Sequence, residues 1–209
     1  MIRLWGRATS SNVMKVMWLL AELELPYERR DVGGAFGGTA APEYRAMQPL
    51  GLVPALEEEG GFSLFESNVI LRYLCNRHAP ASSLYPAPPR ARAEVEAWME
   101  LQQTGIGRPS SKLFVGLVRT PPEERDTTAI GAAAAACAAQ WALLEARLQR
   151  HPYICGDTLT LADIAWGPLV HRWFNMALPE RPAMPALHAW YQRILARDAY
   201  RATCGGPLV

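Results

Sequence analysis

Apolar positions in the first 80 residues change period several times. Residues 13–25, VMKVMWLLAELEL, place Val13, Val16, Met17, Leu20 and Leu23 on one face of a helix. The run IRLW at 2–5 has strand length, and YERRDV at 27–32 reads as a second strand. The glycine-rich VGGAFGGTA at 32–40 reads as a loop. No Lys-Ser or Lys-Thr pair follows it, so it lacks the signature of a phosphate cradle. APEYRAM at 41–47 predicts a short helix, and VPALEE and FSLF around a Glu-Gly-Gly turn predict a hairpin. ESNVILRYLCNRH at 66–78 predicts a helix with Val69, Ile70, Tyr73 and Leu74 turned inward. Strand, helix, strand, irregular segment, hairpin and helix, in that order, predict a small α/β sandwich.

HAPASSLYPAPPRAR at 78–92 is rich in Pro, Ser and Ala and reads as a linker. Beyond it the pattern is helical, at 90–103, 129–150, 160–174 and 184–197. The alanine run in the second of these has the highest intrinsic helix propensity, and Trp141, Leu144 and Leu148 give it a packing stripe. Thr160 and Asp163 form a T-x-x-D variant of the capping box at the start of the third. In QQTGIGRPSSKLF, Gly costs about 1 kcal/mol and Pro about 3 in a helix interior, so Gly105, Gly107 and Pro109 are expected to bend or break the helix. The pattern thus divides into an α/β domain over 1–80 and an all-α domain over 90–209. No apolar run is expected to span a membrane.

Composition narrows the function classes. Half of the 209 residues are hydrophobic and the formal net charge is +1, which suits a globular core and excludes the basic footprint of a nucleic-acid binder. The N-terminus carries no signal-peptide pattern, and a soluble cytoplasmic protein is expected. Cys75, Cys137, Cys155 and Cys204 are scattered without a C-x-x-C pair, and the four histidines lack ligand spacing, so neither disulfides nor a metal site is expected. Trp166 and Trp173 read as core residues.

Candidate chemistry lies in three short segments. ATSSN at 8–12 joins the first strand to the first helix, where a serine by default caps the helix. A hydroxyl held there can also stabilise a thiolate. In QPLGLVPAL at 48–56, Pro54 suits the start of an edge strand, and the Val53 backbone could pair with an extended peptide ligand. In FESNVI at 65–70, Ser67 reads as an N-cap. A helix start with a free hydroxyl beside a carboxylate, Glu66, also suits a ligand bearing both an α-carboxylate and an α-amino group.

Together, ATSSNVMKV, QPLGLVPAL, FESNVILRYL and DTLTLADIAWGPL resemble the glutathione transferase superfamily over nearly the whole chain. The resemblance implies a thioredoxin-like N-terminal domain and an all-helical substrate domain. It also implies glutathione as co-substrate, no metal, and a homodimer active in detoxification. It places Ser10, Ser11 and Asn12 at the thiol, with Ser10 at the activating position of the serine-type classes. Val53, before a cis Pro54, would hold the cysteinyl part, and Glu66 and Ser67 the γ-glutamyl end. The absence of Tyr and Cys from residues 8–12 argues against the tyrosine and cysteine classes. Gln48 stands where Asn is usual, and the uncharged GGAFGGTA leaves the glycine end of glutathione without its customary cation.

Lowering a thiol of pKa ~8.5 by about two units requires roughly 2.7 kcal/mol. A hydrogen bond to a charged group contributes about 1.5–3 kcal/mol and a helix N-terminus about 0.3–1, so one hydroxyl at a helix start suffices. The expected function is transfer of the glutathione thiolate to a small electrophile by conjugation or dehalogenation. Glutathione-dependent disulfide reduction and a non-catalytic interaction module are the alternatives. Arg108, Lys112 and Arg119 follow the helix interruption and read either as a solvated face or as a substrate-binding wall for anions.

Overall fold

The computed structural model describes residues 1–178 and 180–208. Its sheet has four strands, β1 (Ile2–Trp5), β2 (Tyr27–Arg30), β3 (Ala55–Glu58) and β4 (Ser63–Phe65), in the order β2-β1-β3-β4. β1 runs parallel to β2 and antiparallel to β3, with Leu4 opposite Leu56, and β3 and β4 form the expected hairpin. Two helices cover the face that carries Ile2, Leu4 and Leu56: α1 (Ser11–Glu22) and α3 (Ser67–His78). A short helix, α2 (Pro42–Met47), closes the other face through Tyr44, packed with Val32, Ala55 and Trp5. The glycine-rich segment carries only a 3₁₀ turn, Gly34–Phe36.

Six α-helices follow among the described residues: α4 (Pro89–Leu101), α5 (Gly107–Phe114), α6 (Thr127–Leu148), α7 (Leu161–Asn175), α8 (Pro185–Leu195) and α9 (Asp198–Cys204). α7 is the axis of this half, with an almost wholly buried surface. It approaches α1 so closely that a Cβ on Gly167 would lie 2.4 Å from the Trp18 ring. The same contact is framed by Trp18 packed edge-on against Tyr200 at 4.7 Å and by Glu22 paired with both ends of the Arg197 guanidinium at 2.6 Å. The two halves therefore share one continuous core.

Asp163 fastens the start of α7. Its carboxylate accepts from the backbone N–H groups of Ile154 (3.0 Å) and Thr160 (2.8 Å), the Thr160 hydroxyl (3.0 Å) and the Trp190 indole (2.9 Å). The expected capping box is present. Trp166 and Trp173 are core residues, as are Cys75, Cys137 and Cys204.

Four expectations are corrected. α3 buries Ile70, Leu71, Leu74 and Cys75, while Val69 is 41% exposed, so its core face lies one position round from the predicted one. The irregularity expected after α4 is present, but it is a local rewinding and not a break. Gln102–Ile106 is one π-helical turn leading directly into α5, and Val115–Arg119 is another. A π turn absorbs an extra residue without ending the helix, which accommodates the glycines. Residues 198–204, without a predicted element, form α9, anchored by Tyr200 and Cys204. Finally, α6 is long and apolar enough to cross a membrane, with mean hydropathy 1.4. Its alanines produce that value, and its buried side chains, Trp141 and Leu144 among them, pack into the helical half.

Candidate functional site

A cleft of about 820 Å³ separates the sheet-bearing half from the helical half. The N-terminal wall comes from the loop after β1, the first turn of α1, the glycine-rich loop and the chain before β3. It contributes Arg7, Ser10, Ser11, Asn12, Thr39 and Val53. The facing wall is the rewound helix and α7, with Gln102, Arg108, Phe114, Arg119 and Arg172. Gln102 opens the first π turn and Arg119 closes the second, and both line the cleft.

Ser10 is the N-cap of α1 by position, with extended backbone (φ −81°, ψ 125°), yet its side chain makes no capping hydrogen bond. The first turn of α1 contains no acidic residue either. A free hydroxyl and bare N–H groups thus meet at one helix end, an arrangement that favours an anion. Ser11 and Asn12 occupy the first turn beside it. The Ser10 side chain therefore does not act as the cap that a serine at this junction supplies by default.

Four arginines and, among the described residues, no Asp or Glu line the cleft. Arg172 is buried and donates from Nη2 to the Thr9 carbonyl at 3.0 Å, immediately before Ser10. Its guanidinium stacks on Phe114 at 3.9 Å, and that of Arg119 lies 5.1 Å from the same ring. Burial, then repulsion from Arg119 and Arg7, lowers Arg172 to about 10. Arg7 is lowered by burial and by Arg119. Arg7 reaches its place by lying across Gly33 and Gly34 (φ +84° and +61°), where added Cβ atoms would stand 3.1–3.2 Å from its side chain. A cluster of mutually repelling cations without carboxylates is an electrostatic trap for negative charge.

Val53 lines the cleft and is followed by a cis bond to Pro54, which itself stands outside the lining. Glu66 and Ser67 also stand outside it. Glu66 is the N-cap of α3, in left-handed backbone (φ +68°), a conformation that costs a non-glycine residue on the order of 1 kcal/mol and concentrates at functional sites. Ser67 is the first helical residue and not the N-cap that the sequence suggests. One side chain joins it to the cleft: the Lys15 ammonium lies 3.4 Å from Ser67 Oγ and 2.6 Å from the Oε1 of the cleft residue Gln102. Lys112 is exposed on α5 and does not line the cleft, whereas Ser111 and Arg108, also exposed, do. Arg119 makes no ion pair with Glu123 or Glu124 among the described residues.

Residues 1–76 match the family model for the glutathione S-transferase N-terminal domain, and residues 90–193 the C-terminal domain model. The chain belongs to the glutathione transferase superfamily. It is 43% identical to glutathione S-transferase GstB of Escherichia coli over 96% of both chains, and 32% identical to glutathione S-transferase 3 of Zea mays over 97% of this chain and 92% of that one. The theta class glutathione S-transferase of Xanthomonas axonopodis pv. citri, solved with glutathione bound, superposes with a TM-score of 0.95 at 41% identity, covering 100% of this chain and 99% of that one. This protein is therefore a glutathione transferase that binds glutathione. The transferase brings Ser10, Ser11 and Asn12, with Arg7, onto one wall and Arg108, Arg119 and Arg172 onto the other.

Sequence reasoning missed Arg7, Arg172, Gln102, Phe114 and Lys15. Arg7 stands three residues before Ser10 and shares its loop. Arg172 carried a signal too, since it is a cation within a helix that is largely apolar on the same face.

Proposed function

We propose that this transferase activates glutathione at Ser10 and delivers its thiolate to small electrophiles that carry a negative charge. The Ser10 hydroxyl donates to the thiolate at the start of α1, with Ser11 and Asn12 beside the sulfur. The Val53 backbone pairs with the cysteinyl unit. Glu66 and Ser67 hold the γ-glutamyl ammonium and carboxylate. Arg119 and Arg108, backed by Arg7 and Arg172, hold the acidic group of the electrophile, or the glycine carboxylate that the uncharged 32–40 loop leaves without a partner. The thiolate forms a C–S bond at the electrophilic carbon. A halide leaves with its electron pair, or, in an addition, the conjugate takes a proton from solvent. The observation that carries this reading is the cleft lining of four arginines without a carboxylate.

The discriminating experiment compares an acidic with a neutral electrophile. Arg119→Ala raises KM for the acidic one by about tenfold, the size of one charge-assisted contact, and leaves the neutral one near wild type. Lys112→Ala, facing solvent, changes neither. Wild-type KM values for both electrophiles in Arg119→Ala overturn the charge preference. The protein works as a homodimer in the cytoplasm, in detoxification. C₂ dimers are the commonest soluble assembly, and light scattering that gives a mass near the 23.1 kDa of one chain rejects that assignment.

A further inference from the structure

Lys15 lies in α1 between Val13 and Val16 and has no exposed surface. Its ammonium has three N–H donors and meets three acceptors: Ser67 Oγ at 3.4 Å, Asn68 Oδ1 at 3.3 Å and Gln102 Oε1 at 2.6 Å. All three are neutral, and none of the ion pairs among the described residues includes Lys15. The charged groups acting on it are Glu66, immediately before α3, and Glu100, at the end of α4. Asn68 continues the network by donating from Nδ2 to the Met99 carbonyl at 3.0 Å. One buried cation thus ties α1, the start of α3, the end of α4 and the π turn together.

The direction of these bonds carries the argument. An ammonium only donates, so the Ser67 oxygen accepts from it. The single O–H of Ser67 is then left to donate outward. The same rule turns the carbonyl end of Gln102 toward Lys15 and leaves its NH₂ end for the cleft that Gln102 lines. Fully burying a cation among neutral groups is costly unless a negative charge joins it.

We propose that Lys15 is a positioning residue for glutathione: its ammonium sets the Ser67 hydroxyl to donate to the γ-glutamyl carboxylate and supplies the buried positive charge which that carboxylate meets. The inference rests on the assignment of Ser67 to the γ-glutamyl end. It has a consequence in protons. Burial lowers free Lys15 to about 7, against the opposing pull of Glu66 and Glu100. A ligand carboxylate one hydrogen bond away favours the charged amine and raises that value. Below about pH 7 the lysine is already charged and affinity is greatest. As pH rises through 7, binding draws a proton from solvent onto Nζ, and affinity falls.

Ionisation of the glutathione thiol releases a proton and would mask this uptake, so the probe is S-methylglutathione, which has no thiol. Calorimetry of the wild-type protein at about pH 7.5, in two buffers of different ionisation enthalpy, is expected to show uptake of roughly half a proton per site. Lys15→Met is expected to take up none, to bind about tenfold more weakly at about pH 6.5, and to show a flat affinity profile over about pH 6–8. A purely structural lysine does not alter the proton count. Ser67→Ala separates the two assignments. Wild-type affinity in Ser67→Ala removes the γ-glutamyl assignment and this inference with it. Weakened binding in Ser67→Ala, together with no proton uptake by the wild type, overturns the role of Lys15 alone. The wild-type count needs no variant, so poor folding of Lys15→Met leaves the inference testable.

Discussion

Replacing Arg172 by methionine separates the cost of the cleft's charge from its use. The guanidinium is held at about 10 instead of 12.5 by burial and by Arg119 and Arg7. That depression corresponds to roughly 3 kcal/mol against the charged form. Two contacts offset it. The bond to the Thr9 carbonyl at 3.0 Å contributes about 1.5–3 kcal/mol, and the stack on Phe114 at 3.9 Å about 0.5–2. The terms nearly cancel, and the methionine side chain retains much of the packing volume. Arg172→Met is therefore expected to stay within about 2 kcal/mol of wild-type stability in a urea titration of the ligand-free protein. Function is expected to respond much more. A cation beside the residue preceding Ser10 favours both the thiolate and an incoming acidic group. Its loss should raise the pKa of bound glutathione by about half a unit or more and KM for an acidic electrophile about tenfold. The assay is denaturant titration alongside steady-state kinetics on an acidic and a neutral electrophile. A variant that loses more than about 3 kcal/mol of stability while keeping wild-type KM on both substrates refutes the reasoning, because Arg172 would then be a structural cation.

Asp163→Asn should cost about 2–4 kcal/mol, since one amide oxygen replaces two carboxylate oxygens and the new NH₂ faces existing donors; denaturant titration checks it, and an unchanged midpoint contradicts the four-bond anchor. Removing Glu66 or Ser67 should weaken glutathione binding by about 1.5–3 kcal/mol in calorimetry, and unchanged affinity in both folded variants ends the γ-glutamyl assignment.

The fold was legible because the pattern changes period where the architecture changes. Strand-length runs and a hairpin signal fill the first 80 residues, and helical periods fill the rest. Boundaries and faces were less legible. α1 begins at Ser11, two residues before its first apolar position, since first-turn residues at the cleft carry no core signal. In α3 the sets containing Val69 and Tyr73 or Leu71 and Cys75 both satisfy helical spacing, and only packing against α1 and α7 chooses between them. Gly105, Gly107 and Pro109 announced an irregularity, but local propensity cannot tell a break from a π turn held by tertiary contacts. Ser10, Ser11 and Asn12 could be singled out as one wall of the cleft because they are consecutive in the chain, at the junction of loop and helix. Of the facing wall, Arg108 and Arg119 were singled out in the sequence, whereas Arg172 and Gln102 were not, because they lie far along the chain and meet Thr9 and Lys15 only after the halves pack. Lys112 and Arg119 look alike in sequence, and only the winding of the helix sends one to solvent and the other to the cleft.

The central claim is that Ser10, left free of any capping bond, activates the glutathione thiol. The direct measurement is a pH titration of the thiolate ultraviolet absorbance of bound glutathione in wild type and in Ser10→Ala, Ser11→Ala and Asn12→Ala. The account predicts a rise of one or more pKa units, about 1.4 kcal/mol each, in Ser10→Ala with glutathione affinity little changed. A rise of that size in Ser11→Ala or Asn12→Ala, with Ser10→Ala at the wild-type value, contradicts it.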